Sequence, residues 1–313
     1  MSFLHLLRPI FLLCIFCFSA VSFAEPGLWQ IKKNHHTSYL FGTIHVGDSS
    51  MSALPDSVID GLEKSNAVVV ELDTTTLTPE YLQTHIYPLM TLPNSASLSQ
   101  RLKPELYQKL AKALQENGLS ITQFEHIKPW AVSINLTAMS YQRAGYLSNF
   151  GADMQVLGFA KKKQLEIIEL ESAKEQFGFF DQIDQDSNYL LSETLKSMDD
   201  AATYIHPLVN AWKAGDLNKL TDYYHLSFDG SPLSQAAEKV ILKDRNARWT
   251  NTLVPLLEKR SLFIAVGALH LPTEHGLIAL FKKNGFEIKK LTKTLNLFIR
   301  DKRQIRKYRT TGH

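Results

Sequence analysis

Two histidines, each three residues after a glycine, are the first groups in this sequence that could do chemistry: Gly42-Thr-Ile-His45 and Gly267-Ala-Leu-His270. Between them in the chain, Glu71 follows the apolar run Ala67-Val-Val-Val. Two imidazoles and a carboxylate suit a divalent ion that keeps one coordination position open, as catalytic rather than structural sites require. Borderline nitrogen and oxygen donors accept zinc, manganese, cobalt or iron, and ligand type alone does not choose among them. A bound ion lowers the pKa of its water toward about 7 and polarises a carbonyl, so hydrolysis needs no nucleophilic side chain. Glu171 or Asp73 could then serve as general base, and Arg245 could steady a developing oxyanion. The same groups also allow a metal-free route in which a histidine or glutamate activates water directly. The sequence carries no His-Glu-x-x-His, no Gly-x-Ser-x-Gly and no Gly-x-x-x-x-Gly-Lys.

Strands must deliver these groups. Leu262 to Gly267 are apolar or small without alternation, the pattern of a parallel strand covered on both faces, which leaves His270 just past its end. Pro272 is placed to open the next helix, with Leu277, Ile278, Leu280 and Phe281 at helical spacing and Gly285 as its stop. The run from Tyr39 carries His45 in the same way, and the glycine of each motif suits close backbone approach. Ala67-Val-Val-Val-Glu-Leu-Asp73 is a third buried strand, whose Glu71 would be costly to leave unpaired and whose Asp73 fits a helix cap. Leu165 to Glu171 and Glu287 to Leu291 read as further strands, and Gly27 to Thr43 as a hairpin turning at Asn34-His-His-Thr37.

Strands alternating with helices predict an α/β fold, a mostly parallel sheet flanked by helices with right-handed crossovers. Ligands in such sheets bind beyond the carboxyl ends of the strands, which gathers His45, Glu71, Glu171 and His270 at one edge. Helical insertions are expected at about 78–150 and 173–235, the first containing helices over Leu102 to Leu114 and Trp130 to Tyr146. Gly151-Ala-Asp153 opens a short helix, and Ala236 to Leu257 reads as one long helix carrying Arg245-Asn246 beside its apolar side. His206 and His225 have no partner at ligand spacing, and His35 and His36 belong to the hairpin turn.

The first 24 residues read as an export signal: Arg8, an unbroken apolar run from Ile10 to Phe18, and Ser22-Phe-Ala24 before Glu25. The run is too short to span a bilayer, so the mature chain is expected to be periplasmic or secreted without an integral membrane segment. Both cysteines, Cys14 and Cys17, lie in that signal, so disulfides, thiolate zinc sites and cysteine nucleophiles are excluded from the mature chain. A formal net charge of +3, or +2 without Arg8, gives no electrostatic case for a nucleic-acid partner, and the basic residues at 297–313 read as a solvated tail. Residues 25–296 are expected to form a single α/β domain.

Leu40-Phe-Gly-Thr-Ile-His-Val-Gly-Asp48, Val69-Val-Glu-Leu-Asp73 and Ala265-Val-Gly-Ala-Leu-His-Leu-Pro272 resemble the signature blocks of the TraB/PrgY/GumN family, to which the Tiki metalloproteases are related. Gly151-Ala-Asp153, Leu170-Glu171 and Arg245-Asn246-x-x-Trp249 resemble blocks of its GumN-like bacterial members. The resemblance runs from about Gly27 to Leu291 and implies a fold similar to that of Tiki, erythromycin esterase and the haem-binding ChaN proteins. It implies that His45, His270 and Glu71 bind metal and that manganese or cobalt is favoured, with zinc or iron next. It also leads to the expectation of a glycine just after Pro272, where this chain has Thr273. The reading that follows is an exported metal-dependent hydrolase, a peptidase on an unidentified peptide or protein, with Glu71, Glu171 and Arg245 carrying the chemistry. Its rivals are a periplasmic protein that sequesters haem or a peptide, and a metal-free esterase-like hydrolase.

Overall fold

The computed structural model describes residues 25–184, 188–198 and 201–292. The export signal expected over 1–24, with both cysteines, and the basic tail over 297–313 lie outside the described residues. Six strands form one sheet: β1 (Leu28–Lys33), β2 (His36–Thr43), β3 (Ala67–Val70), β4 (Glu166–Glu169), β5 (Leu262–Gly267) and β6 (Glu287–Leu291), in the order β4-β3-β5-β2-β1-β6. The neighbours among β4, β3, β5 and β2 pair in parallel, whereas β1 runs antiparallel to both β2 and β6. The α/β reading with a mostly parallel sheet therefore holds. The antiparallel edge arises because β1 and β2 are joined by a two-residue turn, Asn34-His35, with Asn34 at φ 55°, so His36 already pairs with Lys33.

Alternation along the central strands explains their unbroken apolar sequence. Val68, Val70, Phe41 and Phe263 pack on one face with Val58, Leu62, Val156 and Val209 from flanking helices. Ala67, Val69, Leu40 and Ile264 pack on the other with Trp249, Leu253, Leu277 and Phe281. Every second residue serves a different core, so no position on β3 or β5 can be polar. Each such large side chain contributes about 1.5–3 kcal/mol of burial.

Helices occupy much of the chain between β3 and β4 and between β4 and β5, among them Pro104–Glu116, Pro129–Arg143, Ala173–Asp184, Ala201–Lys213 and Leu217–Ser227. Leu98, Leu110, Leu114, Val132, Leu136 and Leu191 bury one another in a separate helical cluster. The long helix expected over 236–257 begins earlier, at Pro232, and contains a π-type segment, Lys239–Lys243, between Pro232–Glu238 and Asp244–Leu257. Pro272 does not open a helix. Ala268–His270 form one 3₁₀ turn, Thr273 stands at φ 70° and reverses the chain, and the helix starts at Leu277 behind Gly276. Among the described residues no helix is long and apolar enough to cross a membrane.

Candidate active site

Strand register sets where the reactive groups emerge. Thr43 pairs with Gly267 and Val70 with Ala265, so His45, Glu71 and His270 all follow the carboxyl ends of adjacent parallel strands. The two motif glycines have separate reasons. A Cβ on Gly42 would sit 3.1 Å from the Ala268 backbone, so glycine lets the turn carrying His270 fold against β2. A Cβ on Gly267 would sit 3.2 Å from Glu71 Oε1, the atom that accepts the Gly267 N–H at 2.7 Å. Trp212 Nε1 donates to the Gly42 carbonyl at 2.7 Å and holds the end of β2 from the helix Ala201–Lys213.

His270 is buried and fixed in one tautomer. Asn246 Nδ2 donates to the carbonyls of His275 at 2.9 Å and His270 at 3.3 Å, so Asn246 Oδ1 faces His270 Nδ1 at 2.6 Å as an acceptor. The imidazole proton is therefore on Nδ1, and Nε2 presents its lone pair, which accepts from Arg245 Nη1 at 3.2 Å. Burial lowers the pKa of His270 to about 3, against the opposing pull of Glu71, which keeps the ring neutral. Trp249 packs on it at 4.4 Å between ring centroids.

Arg245 ties the carboxylates together. Its Nε and Nη2 grip Glu171 at 2.9 and 2.8 Å, Nη2 also donates to Glu71 Oε2, and Nη1 donates to the Ile241 carbonyl at 3.0 Å besides His270. All five guanidinium N–H groups are engaged, which leaves none for a substrate oxyanion in this arrangement. Glu171, with a fully buried side chain, also accepts from Arg248 Nη2 at 2.7 Å and Trp249 Nε1 at 3.0 Å. It stands behind Arg245 and does not line the cavity that Glu71 lines. Burial opposes charge on Glu71, but His270, then Arg245, His45 and the Gly267 N–H, outweigh it and bring its pKa down to about 2. Asp73 caps the turn Thr74–Thr76 by accepting from Thr75 N at 3.0 Å, as the capping reading anticipates.

His45 is the exposed member, with 76% of its side chain open to solvent. Its Nδ1 lies 3.0 Å from Asp153 Oδ2, and a carboxylate only accepts, so Nδ1 carries a proton and Nε2 is the outward nitrogen. Asp153 also accepts from the Thr43 hydroxyl. Its carboxylate raises the pKa of His45 above the ordinary imidazole value. Asp153 sits in the first turn of the helix Ala152–Lys162, whose Ala152 N–H donates to the Ile44 carbonyl at 2.9 Å and so binds helix and motif together. Sequence reasoning placed Asp153 at a helix start and Asn246 beside an apolar face without giving either a partner. The signal for Asp153 was a carboxylate two residues after a glycine at a helix N-terminus.

His45, Glu71, Arg245 and His270 line one cavity of about 280 Å³. Both imidazoles are anchored through Nδ1 by a side-chain acceptor, the arrangement that orients histidine ligands for a metal through Nε2. His270 Nε2 and Glu71 Oε1 are 3.8 Å apart, a span that two ligands of one ion at about 2.0–2.2 Å each can bridge. The donors therefore fit a divalent ion in chemistry. As the side chains stand, the described residues form no group of three His, Cys, Asp or Glu that could hold one, and Arg245 Nη1 rests on His270 Nε2. His206 pairs with the Tyr146 hydroxyl at 2.6 Å, and neither it nor His225 lines the cavity.

The model of the TraB/PrgY/gumN family matches residues 27–290. "Uncharacterized protein YbaP" of Shigella flexneri is 30% identical over 258 residues, which is 82% of this chain and 90% of that one; its namesake in Escherichia coli (strain K12) is 29% identical. "Metalloprotease TIKI2" of Xenopus tropicalis is 22% identical over 83% of this chain and 59% of its own. No solved structure matches.

Proposed function

This chain belongs to the TraB/PrgY/gumN family, and from that premise we propose that it is an exported metal-dependent hydrolase, a peptidase acting at the cavity of His45, Glu71 and His270. The observation that carries the reading is the paired anchoring of the two imidazoles: Asp153 on one and Asn246 on the other occupy both Nδ1 atoms, so an ion at the edge where Glu71 emerges would be held through Nε2, once His45 has lost its second proton and Arg245 has withdrawn from His270. The relatives named as metalloproteases support the class of reaction.

His45 and His270 would hold the ion through Nε2 and Glu71 through its carboxylate, with manganese or cobalt ahead of zinc or iron. When bound, the ion supplies the Lewis acidity that polarises the scissile carbonyl and acidifies the attacking water. The protein's own groups do the rest. A carboxylate with a pKa near 2 is a weak base, so Glu71 serves as a charged donor. Asn246 keeps the proton of His270 on Nδ1 and Asp153 orients His45. Arg245 Nη1 must give up His270 Nε2 before that nitrogen can act as a ligand, and the freed N–H then becomes available to a substrate oxygen.

Elemental analysis of the purified mature chain, together with peptide cleavage before and after chelation, tests the proposal. Metal at near one equivalent and chelator-sensitive cleavage are expected. No metal uptake, with cleavage or binding unchanged in a His45→Ala, His270→Ala double variant, would overturn it. A metal-free hydrolase is favoured by one observation, the Arg245 guanidinium already joining Glu71 to His270, and activity that survives exhaustive chelation would select it. N-terminal sequencing of exported protein tests cleavage after Ala24.

A further inference from the structure

The cavity beside the reactive groups is walled by apolar side chains from elements distant in sequence. Phe179 and Phe180 come from the helix Ala173–Asp184, Leu208 from Ala201–Lys213, Ile241 from the π-type segment and Leu269 from the turn that carries His270. All five line the cavity and are only partly buried.

The aromatic walls are fixed before anything binds. Phe180 stacks on Trp130 at 5.7 Å with an interplanar angle of 19°, and Phe179 has the guanidinium groups of Arg245 and Arg248 over its ring at 5.4 and 5.3 Å. A preformed apolar recess rewards an apolar occupant without an ordering cost. Because His45, Glu71 and His270 line the same cavity, whatever fills the recess is held next to the bond presented to them.

We infer that this recess is a specificity subsite for one large apolar side chain, such as Phe, Leu or Met, adjacent to the scissile bond of an extended peptide. The inference rests on the hydrolase reading for its position relative to a cleaved bond, but the recess itself is testable by binding. A single methylene in a hydrophobic pocket is worth on the order of 10-fold or more, so a whole large apolar side chain against none should exceed that.

The test uses the mature chain and quenched fluorogenic peptides identical except at one residue. A kcat/KM at least tenfold higher for Phe, Leu or Met than for Gly or Asp at a position flanking the cut is expected. Leu208→Trp, which fills the recess, is expected to bring the Phe-to-Gly ratio down toward one with the Tm held within a few degrees; Ile241→Trp is the second variant should the first not fold. A flat profile in the wild type, or an unchanged ratio in the filled variants, overturns the inference while leaving the hydrolase reading intact. If no peptide is cleaved, the hydrolase reading fails. The recess is then judged by calorimetry on N-acetylated, C-amidated tripeptides, where tenfold tighter binding of Phe over Gly, lost in Leu208→Trp, upholds it and equal binding overturns it.

Discussion

His270 Nδ1 lies 2.6 Å from Asn246 Oδ1, and the amide nitrogen of Asn246 is held by two backbone carbonyls, so the proton of this imidazole has a single position. Asn246 and Arg245 are consecutive on one helix and address the two nitrogens of one ring from opposite sides. Replacing Asn246 by Ala frees the tautomer and leaves two carbonyls without a donor. A loss of 10–100-fold in metal affinity or kcat/KM is expected, with about 1–3 kcal/mol of stability, measured by metal titration, kinetics and denaturation.

Glu171 and Arg245 make a buried ion pair. Glu171→Gln keeps the shape but leaves a cation without its full counter-charge, and a loss of about 3–5 kcal/mol is expected by chemical denaturation. Were Glu171 a general base instead, the variant would fold with normal stability and lose only kcat.

The pair of His45 and Asp153 carries a pH signature in the metal-free chain. The pKa of His45 is raised above its ordinary 6.5, so the contribution of the pair is fully in place below about pH 6.5 and is lost as pH rises through the raised value. Asp153→Asn removes the charge that causes the shift. NMR titration of the metal-free variant is expected to return the His45 midpoint toward the ordinary imidazole range.

Thr273 holds φ 70°, a region costly for a β-branched side chain. Its hydroxyl accepts the His275 N–H at 3.3 Å, a contact that Asn can reproduce two residues on. Thr273→Asn is expected to stabilise the protein by about 1 kcal/mol, or roughly 2–4 °C in Tm, whereas Thr273→Val gains nothing; calorimetry distinguishes them.

Much of the site was legible because buried parallel strands announce themselves. Val68, Val69 and Val70 admit few alternatives, and a reactive group just past such a run has to emerge at the carboxyl edge. The edges were harder. Along β6, Glu287, Lys289 and Lys290 are exposed and only Ile288 and Leu291 are partly covered, so the sequence carries little sign of which neighbour it takes or in which direction. Asp153 and Asn246 escaped because their partners lie 108 and 24 residues away, and hydrogen bonds across that separation leave no periodic trace. The sequence offers Arg245 to an oxyanion and gives no sign of its ion pairs, because Glu71, Glu171 and His270, which take four of its five N–H groups, lie far from it along the chain.

The π-type segment Lys239–Lys243 bears on how this protein can change over time. Its wider turn carries one residue more than an α-helix would, and an α-helix advances about 100° per residue. Because the extra residue is taken up within that one turn, deleting a single residue there would let it close as ordinary α-helix and leave Arg245, Asn246 and Trp249 on the faces they now occupy. The same deletion one turn later, between Asn246 and Trp249, has no such slack and would turn Trp249 by about 100° out of its core.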